Sequence, residues 1–329
     1  MRRLGRSAAG LAVATVLGMT ASGCVTVHGE LAQVPAATKS EADQALKDFL
    51  TAYNKANAAV DPALDAERVT GALGAVNQAG LKARSTYTDK DAAAARDPLE
   101  LSDTHYVIPK KAGWPRYFFA NADSNRDVDK GDQDTRWLLV FERTGPDALW
   151  TVPYLGVVAP SEVPEFALDA DGLAKPAETL GAELAVRPED LSTSYTGYLS
   201  TGAPDVFAAG STTSGWRAAR AATKKPGFSF QYVDRPLDGA FRPFGLATKD
   251  GGALVFFSSK HYERQTAAQG LKPEVNRDTQ ALLTGEVKST LTKERVSSQL
   301  VYVPARGAAG GAKVTVLNRL PGLVSATGE

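Results

Sequence analysis

Hydrophobic and polar positions change period along the chain in an order that occurs twice. From Ser40, which can cap a helix, with Asp43 three residues on, the positions Ala42, Leu46, Phe49, Leu50 and Tyr53 fall on one helical face. A second helix is predicted to start near Asp65, with Val69, Ala72, Leu73 and Val76 in register. The period then shortens. Arg116-Tyr117-Phe118-Phe119, Trp137-Leu138-Leu139-Val140-Phe141 and Leu149-Trp150-Thr151-Val152 are short apolar runs, and the last two flank the turn Thr144-Gly145-Pro146-Asp147, so they read as strands.

Beyond Pro188 the sequence repeats itself in pattern. Leu191, Tyr195, Tyr198 and Leu199 share a helical face, and Ser214 to Ala222, carrying Trp216, continues as helix. Leu254-Val255-Phe256-Phe257 echoes Arg116 to Phe119. Gln299 to Val303, a Gly-rich turn and Lys313 to Leu317 echo the first hairpin at an offset of 162 to 164 residues. Helix, helix and strands, twice over, predict an α+β fold of two similar rolls in tandem, helices packed on curved antiparallel sheets. The first roll is placed at 40–160 and the second at 188–329.

Between them Pro160, Pro164, Pro176 and Pro188 interrupt any long helix or central strand, which marks 161–187 as a connector. Phe166, Leu168 and Leu173 are too apolar for a free linker, so part of it is expected to pack as an extended edge. Adjacent strand residues point to opposite faces. Phe118 with Phe119, and Phe256 with Phe257, therefore require both faces of each sheet to be covered, which implies contact between the halves.

The first 24 residues are a different material. Arg2, Arg3 and Arg6 precede the uncharged apolar stretch Ala8 to Met19, too short to span a bilayer as a mature helix, and this reads as a secretory signal at 1–23. It ends in Ala21-Ser22-Gly23-Cys24, and small residues before a lone cysteine resemble the lipobox of bacterial lipoproteins, with Ala21 where such families usually carry Leu. That resemblance implies cleavage between Gly23 and Cys24 and lipid, palmitate included, on Cys24. Residues 24–39, with Pro35 among Ala, Thr and Gly, read as a lipid-anchored tether.

The order of helices and strands looks like the nuclear-transport-factor-like or cystatin-like rolls, and as a whole the chain resembles the uncharacterised secreted lipoproteins of actinobacteria. This implies a conical cavity in each roll and carries no catalytic residues with it. Charge narrows the partners. Lys plus Arg number 37 against 37 Asp plus Glu, and losing the signal's three arginines leaves 34 against 37, with no basic run to seat nucleic acid. A single cysteine excludes an internal disulfide, a Cys-rich zinc site and an iron–sulfur cluster. No cofactor is expected.

Candidate chemistry is sparse. Asp123, Asn125, Asp127, Asp129 and Asp134 space oxygen atoms as a calcium loop would, but Val128 stands where the sharp turn needs Gly and Asp134 where Glu is usual. The flanking segments read as strands, so a solvated hairpin loop is the expected reading and calcium the alternative. His105 and His261 are the histidines of the body: Asp103 with His105 is a candidate general-base dyad, while His261 among Lys260, Tyr262, Glu263 and Arg264 reads as an exposed strand end. Ser211 and Ser214 lack a nucleophile elbow, and no phosphate-binding glycine motif occurs. Trp114 and Trp150 are candidates to line a roll cavity.

The expectation is a non-enzymatic binding or scaffold lipoprotein of the cell envelope, on the outer face of the cytoplasmic membrane. Its partners would be the membrane, through Cys24, and an envelope protein or cell-wall component. The alternatives are a small-ligand carrier using a roll cavity and an enzyme using Asp103 and His105.

Overall fold

A computed structural model describes residues 32–88 and 97–329. The signal, Cys24 and the first half of the tether lie outside the described residues. The body begins earlier than the sequence suggests. Val34–Pro35 (β1) pairs with Lys110–Lys111 (β3), and Ala36 and Ala37 are buried, so the last part of the expected 24–39 tether is structure.

Helix α1 spans Lys39–Ala59. Its cap is Thr38, whose hydroxyl accepts from the Glu41 amide while the Glu41 carboxylate accepts from the Thr38 amide, a reciprocal box that starts the helix ahead of Ser40. Helix α2 is Gly71–Ser85, later than Asp65, because Val69 is pinned in a bridge to Val152. Four antiparallel strands follow, β2 (Leu101–Val107), β4 (Arg116–Ser124), β5 (Arg136–Arg143) and β6 (Thr151–Val158), paired in the order β2-β4-β5-β6.

The second half repeats the order. Helices α3 (Leu191–Thr201) and α4 (Ser214–Ala222) precede β7 (Phe228–Pro236), β9 (Ala253–Ala267), β11 (Thr290–Val303) and β12 (Thr315–Gly328), which pair as β7-β9-β11-β12. The short strand β8 (Phe244–Ala247) pairs with β9, and β10 (Leu283–Gly285) runs parallel to β12. A five-residue helix α5, Arg277–Ala281, precedes β10.

Ladder registers fix how the halves correspond. Leu138 pairs with Gly156 and Leu300 with Asn318, an offset of 162 for both strands of the hairpin. The preceding strand does not keep the expected match. Phe118 pairs with Phe141, and Ala253 with Val303, so Phe118 corresponds to Ala253 and not to Phe256. An odd shift of three residues reverses the faces.

The faces show why. Phe118 packs with Leu139 and Phe141 against α1, together with Leu46 and Phe49, while Phe119 faces the other way, onto Phe256 at 5.5 Å in an edge-to-face contact. Phe256 thus faces the first sheet. Phe257 points to α3, among Leu191, Tyr195 and Phe207. Each strand pair of adjacent aromatics is covered on both sides, and the runs in β4, β5 and the start of β9 are nearly continuously apolar because both of their faces are buried there.

The result is four layers: α1, the first sheet, the second sheet, then α3 and α4. One core, with Phe119, Leu138, Val140 and Tyr154 on one side and Leu254, Phe256, Val296 and Leu300 on the other, belongs to both halves. The sheets approach closely at Gly156, where a Cβ would stand 2.8 Å from Leu300 Cδ2 and 3.1 Å from Phe256. Tyr154 donates its buried hydroxyl to the Phe241 carbonyl at 2.7 Å, satisfying the core's polar end.

The segment 161–187 is no loose link. It buries Ala174, Ala177, Leu180 and Leu184, and makes single bridges through Phe166 to Thr248, Ala174 to Pro109 and Leu184 to Ala305. Helix α2 also joins the halves by packing on β6 and β12, one strand from each sheet. No helix among the described residues is long and apolar enough to cross a membrane.

Candidate functional site

The expected first-half cavity is filled. Phe49, Phe118, Phe141 and Trp150 occupy the space between α1 and the first sheet, with Phe118 stacked on Phe141 at 4.8 Å and Trp150 edge-on to Phe118 at 5.0 Å. Trp114 lies apart and about one third exposed, with the Arg116 guanidinium 4.5 Å from its ring. Neither tryptophan lines a ligand space.

Asp103 and His105 do meet, Oδ1 to Nε2 at 3.2 Å, but on an edge-strand irregularity where Asp103 takes φ of 42° and both side chains stand more than 60% exposed. Arg136 Nη1 donates to the same Asp103 carboxylate at 2.9 Å. The dyad is an exposed surface pair on the outer strand of the first sheet.

Of the acidic loop, Asp123, Asp127 and Asp129 each bring an oxygen to within 4.8 Å of the others. Asn125 is turned away, accepting from the Glu100 amide and donating to Pro98 O, and Asp127 Oδ2 accepts from the Thr135 amide at 2.7 Å. Asp134 stays outside the cluster. Ser214 opens α4 and accepts from the Gly210 amide at 3.3 Å.

The polar centre of the molecule is elsewhere. Along β9 the face that carries Val255 and Phe257 into the α3 core continues as Ser259 and His261, and β11 continues from Val301 to Gln299, Ser297 and Arg295. Hydrophobic packing gives way to a buried hydrogen-bonded network. His261, expected at the surface, is 3% exposed, and its Nδ1 donates to Asp234 Oδ1 at 2.6 Å. Asp234 on β7 is 2% exposed and takes both Nη atoms of Arg220 from α4, at 2.7 and 3.0 Å.

The other imidazole nitrogen, Nε2, lies 2.7 Å from Ser297 Oγ and 2.9 Å from Ser259 Oγ. Gln299 completes the network when its carboxamide is turned so that the oxygen accepts from these hydroxyls and the nitrogen donates to the Phe257 and Ser297 carbonyls at 3.0 Å each. Burial pushes His261 down to about 4, the Asp234 bond opposing that and the Arg319 and Arg220 charges assisting it, so the ring is neutral at neutral pH. The Arg220 and His261 hydrogen bonds outweigh desolvation at Asp234 and hold its carboxyl below the ordinary range.

Aspartate, histidine and serine at these distances have the spacing of a hydrolytic triad. The access is wrong. Ser259 and Ser297 are wholly buried, and neither lines the adjacent space. That space is a pocket of about 180 Å³ bounded by Trp216, Tyr232, His261, Glu263, Arg295 and Arg319. Trp216 is edge-on to His261 at 4.8 Å, and the guanidiniums of Arg220 and Arg319 lie 3.6 and 3.7 Å from its ring centroid.

Charge pairing around the pocket is uneven. Arg295 reaches Glu263 at 3.2 Å, and Arg220 is committed to Asp234. The Arg319 side chain makes no hydrogen bond or ion pair among the described residues, and its buried Nε has no partner. Burial pushes its guanidinium down to about 10, still charged at neutral pH.

The pocket lies where the repeat stops. By the ladder correspondence Ser259 matches Ser124, the last residue of β4, whereas β9 runs on to Ala267, so His261 has no strand counterpart in the first half. Sequence reading missed the site because the charged neighbours of His261 hid its face. The spacing Phe257, Ser259, His261 carried the signal, since period two places all three on the core side.

An α+β body with a twice-used helix-helix-sheet order and one polar pocket in its longer sheet is thus defined. The chain belongs to the family described as "Domain of unknown function (DUF8094)", which matches residues 33–328. It is 50% identical over 335 residues to an uncharacterised lipoprotein of Streptomyces avermitilis, and 48% identical over 331 residues to one of Streptomyces coelicolor. Each comparison covers 100% of this chain and 97% of the relative. A second lipoprotein of Streptomyces coelicolor, also uncharacterised, is 26% identical over 298 residues, covering 83% of this chain and 79% of its own.

Proposed function

We propose that the protein is a lipoprotein of the cell envelope, held by lipid on Cys24 at the outer face of the cytoplasmic membrane. Its body works by binding, without turnover, and takes a small ligand into the pocket between α4 and the second sheet. The lipoprotein names of the full-length relatives support the anchor, together with the short apolar signal ending at Cys24.

The observation that carries the binding reading is the pocket itself. Recognition groups of mixed character surround about 180 Å³ of space, with an aromatic wall at Trp216 and Tyr232 and the unpaired Arg319 beside it. The serines that complete the spacing of a catalytic triad are buried and do not line it. A static recognition site needs only the former.

Native mass spectrometry of the intact chain, extracted from its own membranes in mild detergent, tests both parts. The expected spectrum shows a chain beginning at an acylated Cys24 and carrying a non-covalent small-molecule adduct that Trp216→Ala loses. An unacylated, unprocessed chain in the soluble fraction overturns the anchor. A processed chain without any adduct, captured by crosslinking on a protein through another face, overturns the pocket reading.

A further inference from the structure

We infer that the pocket beneath Trp216 takes an anionic group, a carboxylate or a phosphate, seated on the Arg319 guanidinium. This rests on the binding reading above and names the chemistry of its ligand.

The argument is one of charge accounting inside a confined space. Asp234 is occupied by Arg220 and His261, and Glu263 by Arg295 and, at 3.9 Å, by Lys293. His261 is neutral, so it neither repels a cation nor binds an anion by charge. Counting Arg220, Arg295, Lys293 and Arg319 against Asp234 and Glu263 leaves positive charge in excess, and of the four cations Arg319 alone has no carboxylate at ion-pair distance among the described residues.

A guanidinium removed from water without an anion is unfavourable, and stacking on an indole offsets only part of that loss. Asp234, already bonded to Arg220 and His261, acts on Arg319 only at a distance, no carboxylate among the described residues pairs with it directly, and Arg319 borders a space large enough for one. The planar fork suits an oxygen pair presented side by side, as carboxylate and phosphate both do. A volume of about 180 Å³ admits such a group with a few further atoms and excludes a folded partner. Trp216 and Tyr232 give those further atoms an apolar wall.

The test is titration of the intact chain in neutral detergent micelles with inorganic phosphate and with succinate, at ionic strength held constant with chloride. Heat of binding and melting temperature are both read. A third arm adds phosphatidic acid to the micelles, and saturation there but not with the soluble anions assigns the group to a membrane lipid. The expected result is saturable binding in at least one arm, abolished in Arg319→Gln and weakened at least tenfold in Arg319→Lys, which keeps the charge but loses the fork.

Without ligand, Arg319→Gln is expected to melt no lower than the parent, because no hydrogen-bond or ion-pair partner is lost and removing an uncompensated buried charge offsets the lost stacking on Trp216. A marked fall in its melting temperature makes Arg319 a structural residue and overturns the inference. Equal binding by Arg319→Gln and the parent overturns it too. If no anion binds while native mass spectrometry finds a neutral adduct at the pocket, the anionic assignment fails and the binding reading stands.

Discussion

At His261 a single imidazole is shaped by three forces: burial, which disfavours its charged form, the Arg319 and Arg220 charges, which add to that, and the Asp234 carboxylate, which opposes it. The outcome has a measurable sign. With a folded value of about 4 against an ordinary 6.5, the unfolded chain takes up the proton first. Stability at this residue is complete above pH 6.5 and falls as pH drops through 6.5 towards 4, by up to about 3 kcal/mol. Imidazole resonances in NMR spectra should stay those of the neutral ring from pH 8 to about 5.5, and a midpoint near 6.5 would refute the network.

Asp65 behaves in the opposite direction. Its side chain is buried with one oxygen bonded to Asn77 and the other without a partner, and desolvation raises its pKa to about 6. The cost of keeping it ionised is present above pH 6 and relieved as pH falls through 6 towards 4. Asp65→Asn should therefore raise the melting temperature at pH 7.5, by the equivalent of at most about 3 kcal/mol, and have little effect at pH 4.5. Denaturant unfolding at the two pH values checks it. Neither residue announced its environment in the sequence, because desolvation depends on what the rest of the chain brings over it.

Among the elements, the strand cores were legible and their ends were not. Runs such as Trp137 to Phe141 and Leu254 to Phe257 declare buried strands by composition. The helices at Leu191–Thr201 and Ser214–Ala222 follow their periodicity, while α1 and α2 begin where Thr38 caps and where the Val69 bridge ends. The misaligned repeat at Phe118 arose because aromatic pairs look alike in sequence but ladder pairing decides which member faces inward. The acidic loop is an element-scale case as well. Asn125 and one Asp127 oxygen are spent on backbone amides, as turn residues commonly are. Calcium up to millimolar concentration should leave the melting temperature unchanged, and a saturable rise would install a metal site at Asp123, Asp127 and Asp129.

Across the whole molecule the two halves share a hydrophobic core, so they should unfold together. Phe256→Ala, which removes the ring between Phe119 and Tyr154, is expected to cost about 3–5 kcal/mol and to shift the transition without splitting it. Coincident circular dichroism and fluorescence curves check this, and two resolved transitions would mean separate cores. Membership of one family along residues 33–328, spanning both halves, agrees with a unit kept whole.

The chain's own sequence determined the α+β class, the placement of the main helices and strand cores, and the need to cover both faces at the paired aromatics. Those follow from periodicity and residue type, which are local properties. Tertiary structure alone decided that each sheet covers the other, that His261 is buried and that Arg319 is left without an anion. Burial and charge pairing are set by residues far apart along the chain, such as Trp216 and Arg319, and no local pattern encodes which distant side chain will be missing.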